Sequence, residues 1–436
     1  MEEERKARDR WLILAAIALS LLLVGSCFAI PYLLTSSGSG KGTGKATGTE
    51  REAATGPTLP GQEELERLLL DSDAYARASR IVEQNYVDEV EDNRLLEAAA
   101  RGMRRMAMEG EDPEALVERG IVAMLDSLDD PFTSFMSREE LEMLDTQLSG
   151  HFSGVGIAMR KVKNEIMVVQ VLEGTPAQEA GIREGDVVKE VDGRDVTAMD
   201  LDEVVMLIRG PEGTTVSLGI YRPSSPELLR FEIVRREIQI PVLRKEVKEG
   251  GVGYIQLTDW TEDADQRIRE ALSELEGEGA RSLVIDLRSN TGGYMDPAIN
   301  AADLFLRQGV IVTSRGRVPG TDREYQADAE ASWDLPLVVL VNRGTASSSE
   351  IFAAALRDNQ RCTLVGETTF GKGSIQKIFR QEDGTGIRLT IARYYTPQGV
   401  NLDEEGLVPE VLVKNPVVGE EDLQLEKALE IARTST

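Results

Sequence analysis

Leu337-Val338-Val339-Leu340-Val341-Asn342-Arg343-Gly344-Thr345-Ala346-Ser347-Ser348-Ser349-Glu350 runs from five consecutive apolar residues, through a turn marked by Gly344, into a serine run that opens a helix. A short apolar run bounded by turn residues is the pattern of a buried strand. Comparable runs lie at 283–287 and 363–365, and amphipathic helices are expected at 264–275, 297–306 and 350–356. Strands and helices alternating in this way predict an α/β core.

Ser347 stands where that helix begins. The first amides of a helix have no intrahelical partner, so a serine there sits beside donors that favour developing negative charge. Ser347-x-x-Glu350 also reads as a capping box, a common way to start any helix. Two other segments carry chemistry of their own. Asp286-Leu287-Arg288-Ser289-Asn290-Thr291-Gly292-Gly293 is a strand end opening into a double glycine, which can present a backbone N–H as an oxyanion donor. Phe370-Gly371-Lys372-Gly373-Ser374-Ile375-Gln376 sets a lysine between glycines that let other backbone approach. Gly366-x-x-x-x-Gly371-Lys372 nearly matches a phosphate-binding loop. Gly373 replaces the required Ser/Thr, however, and Ile375, Lys377 and Phe379 alternate like a strand instead of starting a helix.

Composition narrows the choice of base. The chain holds one histidine, His151, and two cysteines, Cys27 and Cys362. Two-histidine zinc signatures are excluded, no ordinary zinc site can be built, and no disulfide framework is implied. His151 opens a β-rich stretch and is expected at a strand end, and Cys362 is expected in the core. For a hydrolase, a lysine or a carboxylate then remains as the general base. A lysine serves near neutral pH only when burial destabilises its ammonium, and the glycine-lined context of Lys372 fits that demand. The formal net charge of −27 removes nucleic acid from the candidate partners, since phosphate backbones need a basic face.

Outward from the core, short β-branched runs with glycine turns at 155–159, 166–171, 186–191 and 215–221 predict a small β-rich module, with helices at 176–180 and 200–208. Helix-period positions such as Leu65, Leu68, Leu69, Ile81, Val82 and Tyr86 predict a helical, acidic unit before it. Residues 35–61 are rich in Gly, Ser, Thr and Ala and read as a flexible tether. Residues 11–34 carry no charged side chain and follow Arg5, Lys6, Arg8 and Arg10. About 20 apolar residues suffice to span a bilayer, and the positive-inside rule leaves the N-terminus cytoplasmic. A cleaved signal peptide and a lipidated Cys27 are the rival readings, and the length of the apolar run argues against both. Residues 419–436 read as an exposed acidic helix.

The three core segments together resemble the catalytic core of the carboxyl-terminal processing, or tail-specific, proteases, which have a crotonase-like fold. The family's Ser-Ala-Ser-Ala-Ser-Glu motif appears as Thr345-Ala346-Ser347-Ser348-Ser349-Glu350, with Thr345 and Ser348 as departures. The resemblance implies Ser347 as nucleophile, Lys372 as base and Gln376 as the residue positioning the base. It makes the amides of Ser348 and Gly293 the oxyanion donors, with Gly292 the alternative to Gly293, and requires no cofactor or metal. Ser127-Leu128-Asp129-Asp130-Pro131-Phe132-Thr133 resembles the family's Ser-Leu-Asp-Pro segment with an extra Asp. Ala392-Arg393-Tyr394-Tyr395-Thr396-Pro397 and Gly406-Leu407-Val408-Pro409-Glu410 match as well, so the likeness runs from about residue 75 to 413.

Gly154-Val155-Gly156-Ile157 resembles the carboxylate-binding loop of PDZ domains, and Gly174-x-Pro176-Ala177 through Gly181-Ile182-x-x-Gly185-Asp186 resembles their next signature. Loop amides of this kind bind a terminal carboxylate while the adjoining strand edge adds a peptide strand. Arg209, after the second helix, is a candidate link between tail binding and the core.

The expected architecture is therefore α/β, with a crotonase-like serine protease core at 236–415 and an inserted PDZ domain at 149–235. A helical N-terminal domain at 62–148, a linker at 36–61, a tip and transmembrane anchor at 1–35 and a helical tail at 416–436 complete it. The expected activity is extracytoplasmic, membrane-anchored endopeptidase cleavage near the C-termini of captured protein tails. A homo-oligomer or regulatory partner is left open. The rival functions are a catalytically silent tail-binding scaffold and a crotonase-type coenzyme A enzyme.

Overall fold

The computed structural model describes residues 62–106, 112–162, 164–225, 227–328, 333–403, 405–416 and 421–434. The expected anchor and linker lie outside the described residues. Among the described residues no helix is long and apolar enough to cross a membrane.

Four helices come first: α1 (Gln62–Leu70), α2 (Asp73–Asn85), α3 (Asp92–Met106) and α4 (Pro113–Asp126). Helix α4 starts where the Asp112 carboxylate accepts the Ala115 amide at 2.9 Å and Pro113 fills a position whose N–H would be unpaired anyway. Strand β1 (Ser134–Met136) and helix α5 (Arg138–Ser149) follow, the helix opened by a Ser137/Glu140 capping box and stopped by left-handed Gly150. Leu65, Leu69, Val82, Leu95, Met103 and Met124 form the apolar centre of this unit, and Ile387 and Leu389 from much later in the chain complete it. The helical unit is thus built onto the core and does not close on itself.

The β-rich module contains β2 (His151–Gly154), β3 (Ile157–Val162), β4 (Glu165–Val171), α6 (Pro176–Ala180), β5 (Val187–Val191), β6 (Arg194–Asp195), α7 (Leu201–Ile208), β7 (Thr215–Tyr221), β8 (Leu229–Val234) and β9 (Arg236–Gln239). Its sheet runs β3-β4-β5-β7-β8 and closes over Val168, Val188, Val204, Leu218 and Ile220. The run expected at 155–159 becomes a strand only from Ile157, because Gly156 turns the backbone at φ 86°. Strands β2 and β9 pair as a two-stranded stalk, and the Ile240 amide donates to Gly150 O at 2.8 Å. The stalk is a sheet separate from that of the module, and it spans the boundary expected at 235.

The rest of the chain supplies β10 (Leu243–Lys248), β11 (Val252–Leu257), α8 (Ala264–Gly277), β12 (Ser282–Asp286), α9 (Met295–Asp303), β13 (Val310–Arg315), β14 (Arg323–Gln326), β15 (Leu337–Val341), α10 (Ser348–Asp358), β16 (Thr363–Gly366), β17 (Ser374–Arg380), β18 (Gly386–Tyr395), β19 (Val411–Leu412) and α11 (Leu423–Thr434). One sheet runs β10-β11-β12-β15-β16-β19, parallel from β11 onward. Alternation along each strand divides its side chains between two layers. Ile285, Val339, Val341 and Leu364 meet α8, α9 and α10, whereas Val284, Val338, Leu340 and Val365 meet Ala428 and Ala432 of α11.

This corrects the exposed tail expected at 419–436. A mainly parallel sheet needs both faces covered, and α11 covers the second face. In the other sheet, β18 pairs with β17, β1 and β13, so the early helical unit and the late strands share one ladder.

Strands β12, β15 and β16 are adjacent and parallel, so their carboxyl ends lie along one edge. The segments leaving them are 287–294, 342–347 and 367–373, the three loops singled out in the sequence. Gly366 makes this possible, because a Cβ there would stand 1.9 Å from Val341 O.

Candidate active site

Ser347 has φ 55° and ψ −120°, a conformation strained for any residue with a side chain. Neighbouring hydrogen bonds impose it. The Thr345 hydroxyl donates to Leu287 O at 2.8 Å, the Ala346 amide to Asn290 O at 3.0 Å, and the Phe370 amide to Thr345 O at 2.9 Å. The Ser348 hydroxyl donates to Gly293 O at 3.0 Å, and Ser349 Oγ accepts from Trp260 Nε1 at 2.9 Å. Ser348 and Ser349 are buried, whereas Ser347 remains half-exposed at the vertex of the turn.

The double glycine lies against this vertex. A Cβ on Gly292 would come within 2.8 Å of Ser347 Cβ and 3.2 Å of Ser348 N, and one on Gly293 within 2.3 Å of Trp260 O. The Gly292 amide is already committed to Asn290 Oδ1 at 3.0 Å. Among the described residues the amides of Gly293 and Ser348 donate to no protein acceptor.

Glu350 joins the nucleophile loop to the lysine loop. Its buried carboxylate accepts from the amides of Ser347 (2.9 Å), Gly371 (2.9 Å) and Lys372 (3.0 Å), and from the Thr369 hydroxyl. Burial lifts its pKa while these donors oppose the shift. The glutamate half of the expected capping box is present, while the Glu350 amide donates to Ser347 O at 2.8 Å; the same glutamate also grips a second loop that sequence spacing could not reveal. Tyr394, fully buried, places its hydroxyl against the carbonyls of Lys372 and, at 3.4 Å, Ser347. Its amide donates to Gly373 O at 2.9 Å, and Asp403 accepts the Gly373 amide at 2.5 Å.

The amine of Lys372 lies 4.9 Å from the centroid of the Phe132 ring. Burial, with Arg388 as the next cause, lowers its pKa from 10.5 to about 8. No hydrogen bond joins this amine to the Ser347 hydroxyl or to Gln376 among the described residues. Gln376 Nε2 instead donates to Ser374 Oγ at 3.0 Å and Thr390 Oγ1 at 3.3 Å. His151 sits on the stalk with Nδ1 3.9 Å from Glu237 Oε1, and half-buried Cys362 packs against the main core.

In the β-rich module, β3 is an edge strand beside the 154–157 loop. Val155 O and Gly156 O accept from Ala177 and Leu172, and the amides of Val155 and Gly156 donate to no described group. Arg209 bridges the stalk and α5: its guanidinium carbon lies 5.2 Å from the Phe152 ring centroid, and Nη1 is 3.4 Å from Thr146 Oγ1. On either side of Thr146, Asp145 pairs with Arg380 of β17 and Gln147 donates to Asp259 Oδ1 at 3.3 Å.

A model of peptidase family S41 matches residues 251–413, and a PDZ-domain model matches residues 167–222. Carboxyl-terminal-processing proteases of Synechocystis sp. and Picosynechococcus sp. are 37% and 38% identical to this chain, over 81% and 83% of it and 84% and 89% of their own lengths. The carboxy-terminal processing protease CtpA of Bacillus subtilis is 36% identical over 70% of this chain and 65% of its own. The solved structure of a photosystem II D1 C-terminal processing protease is 31% identical with a TM-score of 0.50, covering 85% of this chain and 97% of that one.

Fold, serine turn and these likenesses together define a serine endopeptidase. The chain belongs to the carboxyl-terminal processing proteases of peptidase family S41 and carries a PDZ domain.

Proposed function

We propose that this peptidase works through a Ser347–Lys372 dyad on a crotonase-like core, cutting near the C-termini of protein tails held by its PDZ domain. The observation that carries the reading is that the amides of Ser347 and Lys372 donate to the same oxygen of Glu350. It ties the backbone of a strained serine to that of a lysine whose burial favours the neutral amine, while the chain's single histidine lies on the stalk.

The neutral amine takes the Ser347 proton as Oγ attacks the substrate carbonyl. The oxyanion is received by the free amides of Gly293 and Ser348. The resulting ammonium gives its proton to the leaving amine, and an acyl-enzyme remains. Water then attacks that ester, Lys372 takes its proton, and the proton returns to Ser347 as the new carboxylate departs. Gln376 donates through its amide nitrogen to Ser374 and Thr390, which supports reading its carbonyl oxygen as the atom that would position the lysine.

The unpaired amides at Val155 and Gly156, beside the free edge of β3, suit a terminal carboxylate and an added peptide strand. Gly154 and Ile157 complete that loop, and tethering raises the effective concentration of the upstream peptide at Ser347. Arg209, joined to α5, would carry the state of the PDZ domain toward the core. The charge pattern of the first 35 residues supports a single-pass anchor with the catalytic part outside the cytoplasm.

The test compares cleavage of one protein substrate bearing a free C-terminal carboxylate with its amidated form. The detergent-solubilised full chain is used, with Ser347→Ala and Lys372→Ala as controls. Preference for the free acid, abolished in both variants, is expected. Full activity of Lys372→Ala would end the dyad reading, and equal cleavage of both substrates would end tail capture.

A further inference from the structure

The turn 129–133 comes from the helical unit, yet it touches the lysine loop. Asp129 adopts φ 53°, and the Asp130 carboxylate accepts the Phe132 amide at 3.0 Å and the Thr133 hydroxyl at 2.6 Å. The Thr133 hydroxyl oxygen accepts the Thr390 amide at 3.1 Å, so the turn is stitched to β18. Phe132 is thereby held over the amine of Lys372. From β18 itself, half-buried Arg388 donates through Nε to Phe132 O at 3.1 Å, and Glu140 of α5 and Asp130 of the turn are the carboxylates that act on its charge.

We propose that Phe132 and Arg388 are positioning residues for the lysine base: a ring whose exclusion of water from the amine outweighs the pull of its π face on an ammonium, and a cation that opposes a second positive charge beside it. The inference rests on Lys372 being the base. The charged groups acting on that amine are Arg388 from β18, Glu350 from α10, Asp130 from the turn and Asp403 from the loop after β18. The three carboxylates favour the ammonium, but each is occupied: Glu350 by its four donors, Asp130 within its own turn and Asp403 by the Gly373 amide. Arg388 is the one cation among the four. Burial is the larger influence and Arg388 the next, both favouring the neutral amine.

The experiment measures kcat/KM against pH, together with thermal unfolding, for the full chain in detergent and for Arg388→Met, Arg388→Lys, Phe132→Ala and Phe132→Tyr. In Arg388→Met and Phe132→Ala the ascending limb should move about one unit toward higher pH. Activity at neutral pH then falls about tenfold and recovers at high pH. The charge-keeping Arg388→Lys and ring-keeping Phe132→Tyr should hold the parental midpoint. A limb that stays in place in both disruptive variants, with only the unfolding temperature lowered, would overturn the inference and leave the dyad standing. If one disruptive variant fails to fold, the other decides. Retained activity in Lys372→Ala would remove the dyad itself, so the two failures are distinct.

Discussion

Glu350 accepts the backbone amide of Lys372 at 3.0 Å across 22 residues of sequence, with the same carboxylate oxygen that accepts the amide of Ser347. One buried side chain thus sets the distance between two loops. In Glu350→Gln one oxygen becomes a donor facing other donors. Displacement of about 1 Å costs around 10²-fold in rate, so kcat should fall by about that factor with KM little changed. Steady-state kinetics on a peptide substrate checks this, and a loss confined to KM would contradict it.

Tyr394→Phe removes one hydroxyl and almost no volume. A buried hydrogen bond contributes about 1 kcal/mol to stability, so denaturant unfolding should show a loss near that size. The Lys372 carbonyl is left without its donor, and kcat should drop about tenfold through a loosened lysine loop. Unchanged kcat with lowered stability would make Tyr394 purely structural.

Lys372 has its folded-state pKa lowered to about 8. Between that value and the ordinary lysine range near ~10.4 the unfolded chain binds more protons, so folding stability rises with pH across this window. Lys372→Met should lose at least about 10³-fold in activity. It should also be more stable than the parent at pH 7, with the gap closing as pH approaches about 10. Unfolding measured across a pH series decides the matter, and a constant gap would mean that the amine is well hydrated when folded.

Arg288 pairs with buried Asp286 and, through Nη1 at 2.7 Å, with Asp422 at the start of α11. Tyr254 completes the cluster by donating to Asp286 at 2.8 Å. Breaking a buried pair costs about 3–5 kcal/mol, and partial exposure of Asp422 brings the expected loss for Asp422→Ala nearer ~2 kcal/mol. Chemical denaturation with Asp422→Glu as the charge-preserving control tests it.

Local pattern made much of this legible. Five apolar residues ending at Val341 announced a buried strand, and alternation at Ile375, Lys377 and Phe379 excluded a phosphate loop in favour of β17. Among the described residues the amides of Gly293 and Ser348 have no protein acceptor and that of Gly292 is held by Asn290 Oδ1, a difference that sequence spacing alone does not show. What spacing could not show is contact between distant segments. Glu350 reads as a capping residue until Gly371 and Lys372 are folded onto it. Residues 419–436 read as exposed because two alanines among charges give little apolar signal, although Ala428 and Ala432 are wholly buried on the sheet. Arg209 was expected near the tail-binding loop, but its described contacts are Phe152 and Thr146.

The pairing of β1 with β18 joins residues about 250 positions apart, and Phe132 enters just ahead of it. Such long-range closure is slow, because loop entropy must be overcome before the contact rewards it. In the dyad proposed here, a half-folded molecule owns its serine but lacks the finished surroundings of its lysine. On that reading, cutting power arrives only with the completed architecture.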